Sequence, residues 1–228
     1  RVATLALDGL QRHAAAETPP EVLAHLRRLA GANARRALAQ TAEVVRLTRL
    51  FADAGVRVLV LKGVALSLQL YGNLASRGVG DIDLLVDPAD FWTADTVLEQ
   101  AGYQLEGTPI PPGRRAAGQR FIRDLAYRNA ERRTVVELHQ RLTVNPHALV
   151  CDFATLWRDR VEVALGGAAV ATLPARSLPV YLCVHGAIHC WVRLCWLADV
   201  VVLLRGADDR AAAPRSEEHT SELQSRLH

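Results

Sequence analysis

Two aspartates, Asp81 and Asp83, stand at the start of an apolar run. Residues 82–86 have the composition of a buried strand, in which aspartate is disfavoured. Residues two apart on a strand project to the same face, so the two carboxylates share a face, with Cα atoms about 6–7 Å apart. Such carboxylates repel each other unless a cation lies between them, and Mg²⁺ or Mn²⁺ takes carboxylate together with phosphate oxygens. The pattern indicates a divalent cation site, with a solvated strand edge as the alternative.

A lysine and an arginine precede this pair of acids. Lys62 is the only lysine among 27 Lys and Arg residues, which indicates that an ammonium group is required there. It stands with Gly63 where a predicted strand meets a predicted helix, and the free amides of a first helical turn attract anions. We therefore expect Lys62 and Gly63 to bind a phosphate. Arg77 could bind a phosphate through both ends of its guanidinium. For Lys62 and Arg77 the alternative is an ordinary surface residue.

A third acid, Glu137, lies between apolar residues in a predicted strand at 134–142. If this strand pairs beside residues 82–86, Glu137 faces the same side as Asp81 and Asp83. Three carboxylates on one face would hold one or two Mg²⁺ ions, and one of them could act as the base on an attacking hydroxyl.

The elements that must position these residues follow from apolar periodicity and from Gly and Pro positions. Helices and strands alternate early and an antiparallel pair follows, which predicts an α+β (α/β) fold. Its small mixed sheet would be flanked by N-terminal helices and a C-terminal helical segment. The predicted elements are two helices within 21–54 separated at Gly31, a strand at 56–61, a helix at 64–71, a strand at 82–86, a helix at 87–100, a loop at 106–118, strands at 121–127 and 134–142, a helix at 152–159, a hairpin of 160–164 and 168–173, and one long helix at 177–204.

Two histidines stand four residues apart in the last predicted helix. His185 and His189 share a helix face, and Arg193 continues that face one turn later. Three interpretations stay open: imidazoles that pack against the sheet, contacts from all three residues to nucleotide phosphates or an acceptor, and a zinc site.

The composition is that of an ordinary globular chain, with 228 residues, 50% hydrophobic residues and a net charge of +3. Neither a basic tract typical of nucleic-acid binding nor a secretory signal is visible, and charged residues interrupt the longest apolar stretch, so we expect a cytoplasmic location. The four cysteines form no CxxC pair. We expect buried reduced thiols rather than a zinc or disulfide framework.

Both ends of the chain are unusual. The chain begins at Arg1 and contains no methionine, so we expect its natural start to be missing. Residues 215–228 resemble a translated sequencing-adapter read and are left out of the fold prediction. The sequence is thus expected to be a fragment.

Several sequence blocks, in this order, resemble the uncharacterised bacterial nucleotidyltransferase family of the polymerase-β-like superfamily. The likeness covers about residues 40–205. The blocks are Lys62-Gly63, Tyr71, Arg77, Asp81-Ile-Asp-Leu-Leu-Val86, Gly102-Tyr103, Glu137-Leu-His139 and Tyr181-Leu-Cys-Val-His185-Gly-Ala-Ile-His189-Cys-Trp191-Val-Arg193-Leu-Cys-Trp196-Leu-Ala-Asp199.

The resemblance implies transfer of a nucleoside monophosphate from an NTP to an acceptor hydroxyl, with release of pyrophosphate. It implies that Asp81, Asp83 and Glu137 hold Mg²⁺ or Mn²⁺. Val64 follows Gly63 where the superfamily has a Gly-Ser or Gly-Gly turn, so Lys62 is expected to replace the missing serine. The acceptor is expected to be a small molecule or a protein rather than nucleic acid. The alternatives are a non-catalytic nucleotide-binding module with the same fold and a zinc protein based on His185 and His189.

We expect the chain to divide into four parts. Residues 1–54 form an N-terminal helical segment, 55–175 the catalytic core, 176–206 a C-terminal helical segment and 207–228 a disordered or artefactual tail.

Overall fold

A seven-stranded mixed sheet forms the centre of the molecule in the computed structural model, which describes residues 2–143, 149 and 151–212, with side chains as far as 206. The strand order is β3-β4-β5-β2-β1-β7-β6, and β2 with β5 and β1 with β7 are the parallel pairs. The strands are β1 Val58–Val60, β2 Ile82–Val86, β3 Gln104–Leu105, β4 Asp124–Asn129, β5 Thr134–His139, β6 Val161–Leu165 and β7 Ala168–Thr172.

Helices cover both faces of this sheet. They are α1 Ala3–His13, α2 Pro20–Asp53, α3 Gly63–Tyr71, α4 Phe91–Gln100, α5 Pro112–Gln119, α6 Phe153–Arg158, α7 Leu178–Ile188 and α8 Leu194–Ala212, with a 3₁₀ turn at Pro88–Asp90. Side chains along β2 alternate between the two faces of the sheet and belong to two hydrophobic clusters. Ile82 and Leu84 pack with residues of α2 and α4, and Leu85 packs with residues of α6 and α7. The predicted α+β fold is confirmed. Within the described residues, no helix is long and apolar enough to cross a bilayer.

The structure differs from the predicted elements at two glycine- or proline-containing segments. Gly31 does not separate two helices, because α2 runs through it for 34 residues. The cost of one glycine in a helix is about 1 kcal/mol, which the helix formers around it offset. Residues 106–118 are predicted to be a loop or hairpin connection, but α5 begins at Pro112, and proline is well tolerated in a first helical turn.

The long helix expected at 177–204 is broken between α7 and α8. Cys190 and Trp191 both adopt left-handed backbone angles, with φ of 52° and 53°. The Trp191 amide donates to the Gly186 carbonyl at 2.8 Å, which closes the turn. A Cβ on Gly186 would lie 2.4 Å from the Trp191 ring, so the turn requires glycine at this position.

The predicted cysteine state is only partly correct. All four thiols are free, but Cys183 and Cys190 are exposed, Cys151 is half-buried, and Cys195 is buried. Cys190 lies in the break between the helices, and Cys183 lies within α7. The predicted segment boundaries at 54, 175 and 206 stay predictions. Helix α8 continues past the last of these to Ala212, and residues 213–228 lie outside the described residues.

A buried ion pair joins α8 to the loop before β2. The Arg77 Nε donates to Asp199 Oδ2 at 2.7 Å, and the Tyr71 hydroxyl donates to Asp199 Oδ1 at 2.9 Å. Asp199 is 0% exposed and Arg77 5%. Burial raises the pKa of Asp199, although Arg77 and Tyr71 act in the opposite direction. Since burial of the two charges offsets much of their attraction, the pair mainly fixes where α3, α8 and this loop meet.

We expect Gly186→Ala to destabilise the protein by about 1–3 kcal/mol, because the new methyl group would overlap the Trp191 ring. Urea unfolding followed by circular dichroism measures this. Gly118→Ala is the matched control, since nothing lies within 4 Å of a Cβ built there. An unchanged unfolding midpoint for Gly186→Ala would contradict the described turn.

We expect Asp199→Asn to lower the free energy of unfolding by about 3 kcal/mol, because it leaves the buried Arg77 charge without a counter-ion. Asp87→Asn is the control: it neutralises the pair with Arg57, whose N–O distance is 3.4 Å and which lies nearer the surface. That change should cost about 1 kcal/mol or less. Equal losses for the two variants in chemical denaturation would refute the role given to Asp199.

Candidate active site

The parallel pairing of β2 with β5 aligns two of the predicted acids. Asp83 lies opposite Glu137 in the register, so both side chains project to one face. The side chain of Asp83 is 7% exposed and that of Glu137 is 32% exposed. The strand pairing expected from the sequence is therefore observed, and of these two carboxylates Glu137 is the more accessible.

Lys62 lies against Asp83 and not on the surface. Its Nζ is 2.8 Å from Asp83 Oδ1, and both side chains are about nine-tenths buried. Burial alone would lower the pKa of Lys62, but Tyr181 and the Asp83 carboxylate outweigh it and raise the pKa. Burial alone would raise the pKa of Asp83, but Lys62 and His139 outweigh it and hold the pKa well below its usual range. Both groups are thus charged at neutral pH.

His139 joins the two carboxylates. Its Nε2 lies 3.5 Å from Asp83 Oδ1 and 3.5 Å from Glu137 Oε2. Burial alone would lower the pKa of His139, but both acids outweigh it and raise the pKa. The ring is 4% exposed, yet neither of its nitrogens has a well-formed hydrogen bond within the described part of the chain.

These three side chains could hold a metal ion. One ligand atom from each of Asp83, Glu137 and His139 lies within 4.8 Å of the others. Among the residues described, this is the only group of three His, Cys, Asp or Glu side chains so arranged. Two oxygens and an imidazole nitrogen without a well-formed hydrogen bond fit a divalent cation.

Both the backbone conformation at position 63 and the neighbouring side chain require glycine there. Its φ is +67°, and a Cβ there would lie 2.9 Å from Oε1 of Gln40 on α2. The Gln40 Nε2 donates to the Gly80 carbonyl at 2.7 Å. Gln40 therefore links the start of α3 to the residue that precedes Asp81, and a larger residue at position 63 would displace this link.

His185 and His189 face Lys62 from the end of α7. Lys62 Nζ lies 3.4 Å from His185 Nε2; since an ammonium group only donates, Nε2 is the acceptor. Burial and Lys62 lower the pKa of His185 to about 3, so its ring is neutral. The two imidazole centroids are 4.6 Å apart, and the Trp196 ring lies 5.0 Å from that of His185. Neither histidine belongs to the three-ligand group found among the described residues.

One cavity of about 160 Å³ gathers all nine predicted site residues. Asp81, which is half-buried, and Arg193 are among these nine residues. Arg193 lies beyond the end of α7 and not one helical turn after His189 as expected, and its guanidinium lies 5.5 Å from the centre of the Trp196 ring. Arg77 reaches the cavity, but its Nε is bonded to Asp199.

Three further residues line the cavity and have no role predicted from the sequence: His139, Arg123 and Tyr181. The position of His139 near Glu137 could have been predicted from the sequence, because it lies two residues after Glu137 on the same face of a strand. Arg123 pairs with its neighbour Asp124 at 2.6 Å and adds another positive charge to the wall. Burial raises the pKa of Tyr181 to about 12, so its hydroxyl remains protonated beside Lys62.

Two solved structures have a similar fold. One is the crystal structure of the lincosamide antibiotic adenylyltransferase LnuA with lincomycin bound, with a TM-score of 0.50, 16% identity, and coverage of 71% of this chain and 94% of that chain. The other is the solution structure of the antibiotic-resistance factor ANT(2'')-Ia, with a TM-score of 0.53, 11% identity, and coverage of 83% and 98%. At these identities the likeness concerns the fold. The comparison with curated proteins gives no match.

A protein-family model matches almost the whole chain. This match agrees with the fold and with the sequence blocks that line the cavity. The family model described as uncharacterised nucleotidyltransferase matches residues 1–227. The chain therefore belongs to this family of nucleotidyltransferase enzymes.

Proposed function

We propose that the protein transfers a nucleoside monophosphate from an NTP to a hydroxyl group of a small-molecule acceptor, in a reaction that requires a divalent cation. The observation that carries this proposal is the convergence of acidic and basic side chains in one cavity. Asp81, Asp83 and Glu137 line it together with Lys62 and several arginines.

The acids form the metal-binding side of the cavity in this proposal. Asp83 and Glu137 hold Mg²⁺ or Mn²⁺ with His139 as a nitrogen ligand, as their mutual distances allow. Asp81, which lines the same cavity, is the third proposed carboxylate ligand. The buried imidazole without a well-formed hydrogen bond and the carboxylate oxygens supply donors that such ions accept. A bound divalent cation stabilises the charge that develops on the attacking and leaving oxygens.

The basic groups form the phosphate-binding side. Lys62 and Gly63 stand at the start of α3, whose N-cap makes no side-chain hydrogen bond to the first helical turn. Amides at a helix N-terminus favour anions. The remaining proposed phosphate contacts are His185, His189, Arg193 and Arg77. Because Arg77 is already bonded to Asp199, it acts mainly through its charge.

The reaction itself is a substitution at the α-phosphorus. The acceptor oxygen forms a bond to this phosphorus, the bond from phosphorus to the bridging oxygen breaks, and pyrophosphate leaves with the electron pair. The proton of the acceptor hydroxyl passes to a carboxylate of the site. Glu137 is placed for this step because its side chain is more exposed than that of Asp83.

The proposed acceptor is a small molecule, and the net charge of only +3 argues against nucleic acid. One structural neighbour is described as lincomycin-bound, which supports the same class of acceptor. The expected cytoplasmic location stays a prediction.

We expect Asp83→Asn to abolish NTP-dependent pyrophosphate release, with a loss of at least about a thousandfold, because it removes a charge that must face the cation and the phosphates. The measurement combines a panel of four NTPs with pooled hydroxyl compounds, with and without Mg²⁺. Asp53→Asn is the matched control, since Asp53 is exposed at the end of α2.

Retention of turnover by Asp83→Asn would contradict the proposal, and so would turnover that is unaffected by removing Mg²⁺ and Mn²⁺ with a chelator. Loss of activity in Asp53→Asn would indicate general misfolding instead of a specific role for Asp83.

A further inference from the structure

The single lysine of the chain occupies an unusual position for a phosphate-binding group. Its ammonium lies 2.8 Å from Asp83 Oδ1, an oxygen that also lies 3.5 Å from His139 Nε2. Asp83 and His139 belong to the group of three ligands that could hold a metal ion. The Lys62 ammonium therefore contacts a carboxylate that binds a divalent cation in the proposed function.

Two cations compete for this carboxylate. Lys62 Nζ and a metal ion bound to Asp83 would both be within a few ångströms of the same oxygen, in a buried site where charges are weakly screened. Repulsion between them lowers the affinity for the metal as long as the ammonium stays in place. Conversely, if Lys62 were absent and no metal were bound, His139 would be the remaining compensating group near the buried Asp83 carboxylate.

We propose that Lys62 is an exchangeable counter-ion: it neutralises Asp83 while no divalent cation is bound, and it must leave this carboxylate before a cation binds tightly. This inference rests on the proposed function. The negative charge that draws the ammonium away is then the triphosphate of the NTP, so metal and nucleotide bind with positive coupling.

The surroundings of Lys62 allow such an exchange. On one side of the ammonium lies Asp83, and on the other lies the neutral acceptor Nε2 of His185 at 3.4 Å. Gly63, which follows it, begins α3 at the cavity. The lysine ammonium is a compact point charge with rotatable donors, whereas the arginine guanidinium is a planar, rigid fork. This provides a reason for a lysine here, in a chain whose other Lys or Arg residues are all arginine.

The test measures Mn²⁺ binding by the loss of the free-ion electron paramagnetic resonance signal, without reference to activity. The full chain is compared with Lys62→Met, Lys62→Gln and Asp83→Asn, each with and without a non-hydrolysable ATP, GTP, CTP or UTP analogue. Lys62→Gln keeps an amide donor for Asp83 and serves if the methionine variant does not fold. Arg57→Met is the matched control, since it removes a cation from an ion pair outside the cavity.

The proposal expects both Lys62 variants to bind Mn²⁺ at least about tenfold more tightly than wild type when no nucleotide is present. It also expects the analogue to tighten Mn²⁺ binding in wild type and to do so much less in these variants. Asp83→Asn should bind weakly throughout, and Arg57→Met should behave as wild type.

Two results would overturn the inference in different ways. If Lys62→Met and Lys62→Gln bind Mn²⁺ with wild-type affinity while Asp83→Asn binds less, the metal site stands and the exchange does not occur. If no folded variant binds Mn²⁺, with or without any analogue, the metal-dependent function itself fails and the exchange fails with it.

Discussion

The parallel register of β2 and β5 is the constraint on which the site depends. It places Asp83 opposite Glu137 and leaves His139 two residues further along the same face. A shift of one residue would send these side chains into the hydrophobic cluster on the opposite face, where Leu84 and Leu138 are now buried. The packing of those leucines against α2 and α4 therefore fixes the positions of the polar groups.

The charges of the cavity wall are held before any ligand is bound. Lys62 faces Asp83, Arg77 faces Asp199, and Arg123 faces Asp124. Arg77 and Arg123 are thus already oriented and need little reorganisation when charge develops in a reaction, whereas Lys62 is the group proposed to move when metal and nucleotide bind. The arrangement also has an energetic cost, because the two buried pairs, Lys62–Asp83 and Arg77–Asp199, give up hydration that their attraction only partly replaces. The hydrophobic clusters on both faces of the sheet must offset this cost.

Local sequence patterns predict some of this architecture well. The strand at 82–86 and the helix that starts after Asp87 follow from apolar runs and from an N-cap residue, and both are observed. The break after α7 could not be predicted, because no glycine or proline stands between 187 and 193 and the turn depends on Trp191 packing over Gly186. Likewise, the sequence places Arg77 near the acids but gives no sign of its distant partner, Asp199. Long-range pairing of this kind is decided by tertiary contacts and not by local patterns.

The distance along the chain between Arg77 and its partner has a consequence for biosynthesis. The two residues are 122 positions apart, and Asp199 lies in the last helix described. While the chain is being made, β2 and β5 can pair well before α8 leaves the ribosome, so the Arg77 guanidinium stays hydrated until then. The part of the cavity wall that contains Arg77 can therefore be completed only after the residues up to Asp199 have been made, which is later than the point at which β2 and β5 can pair.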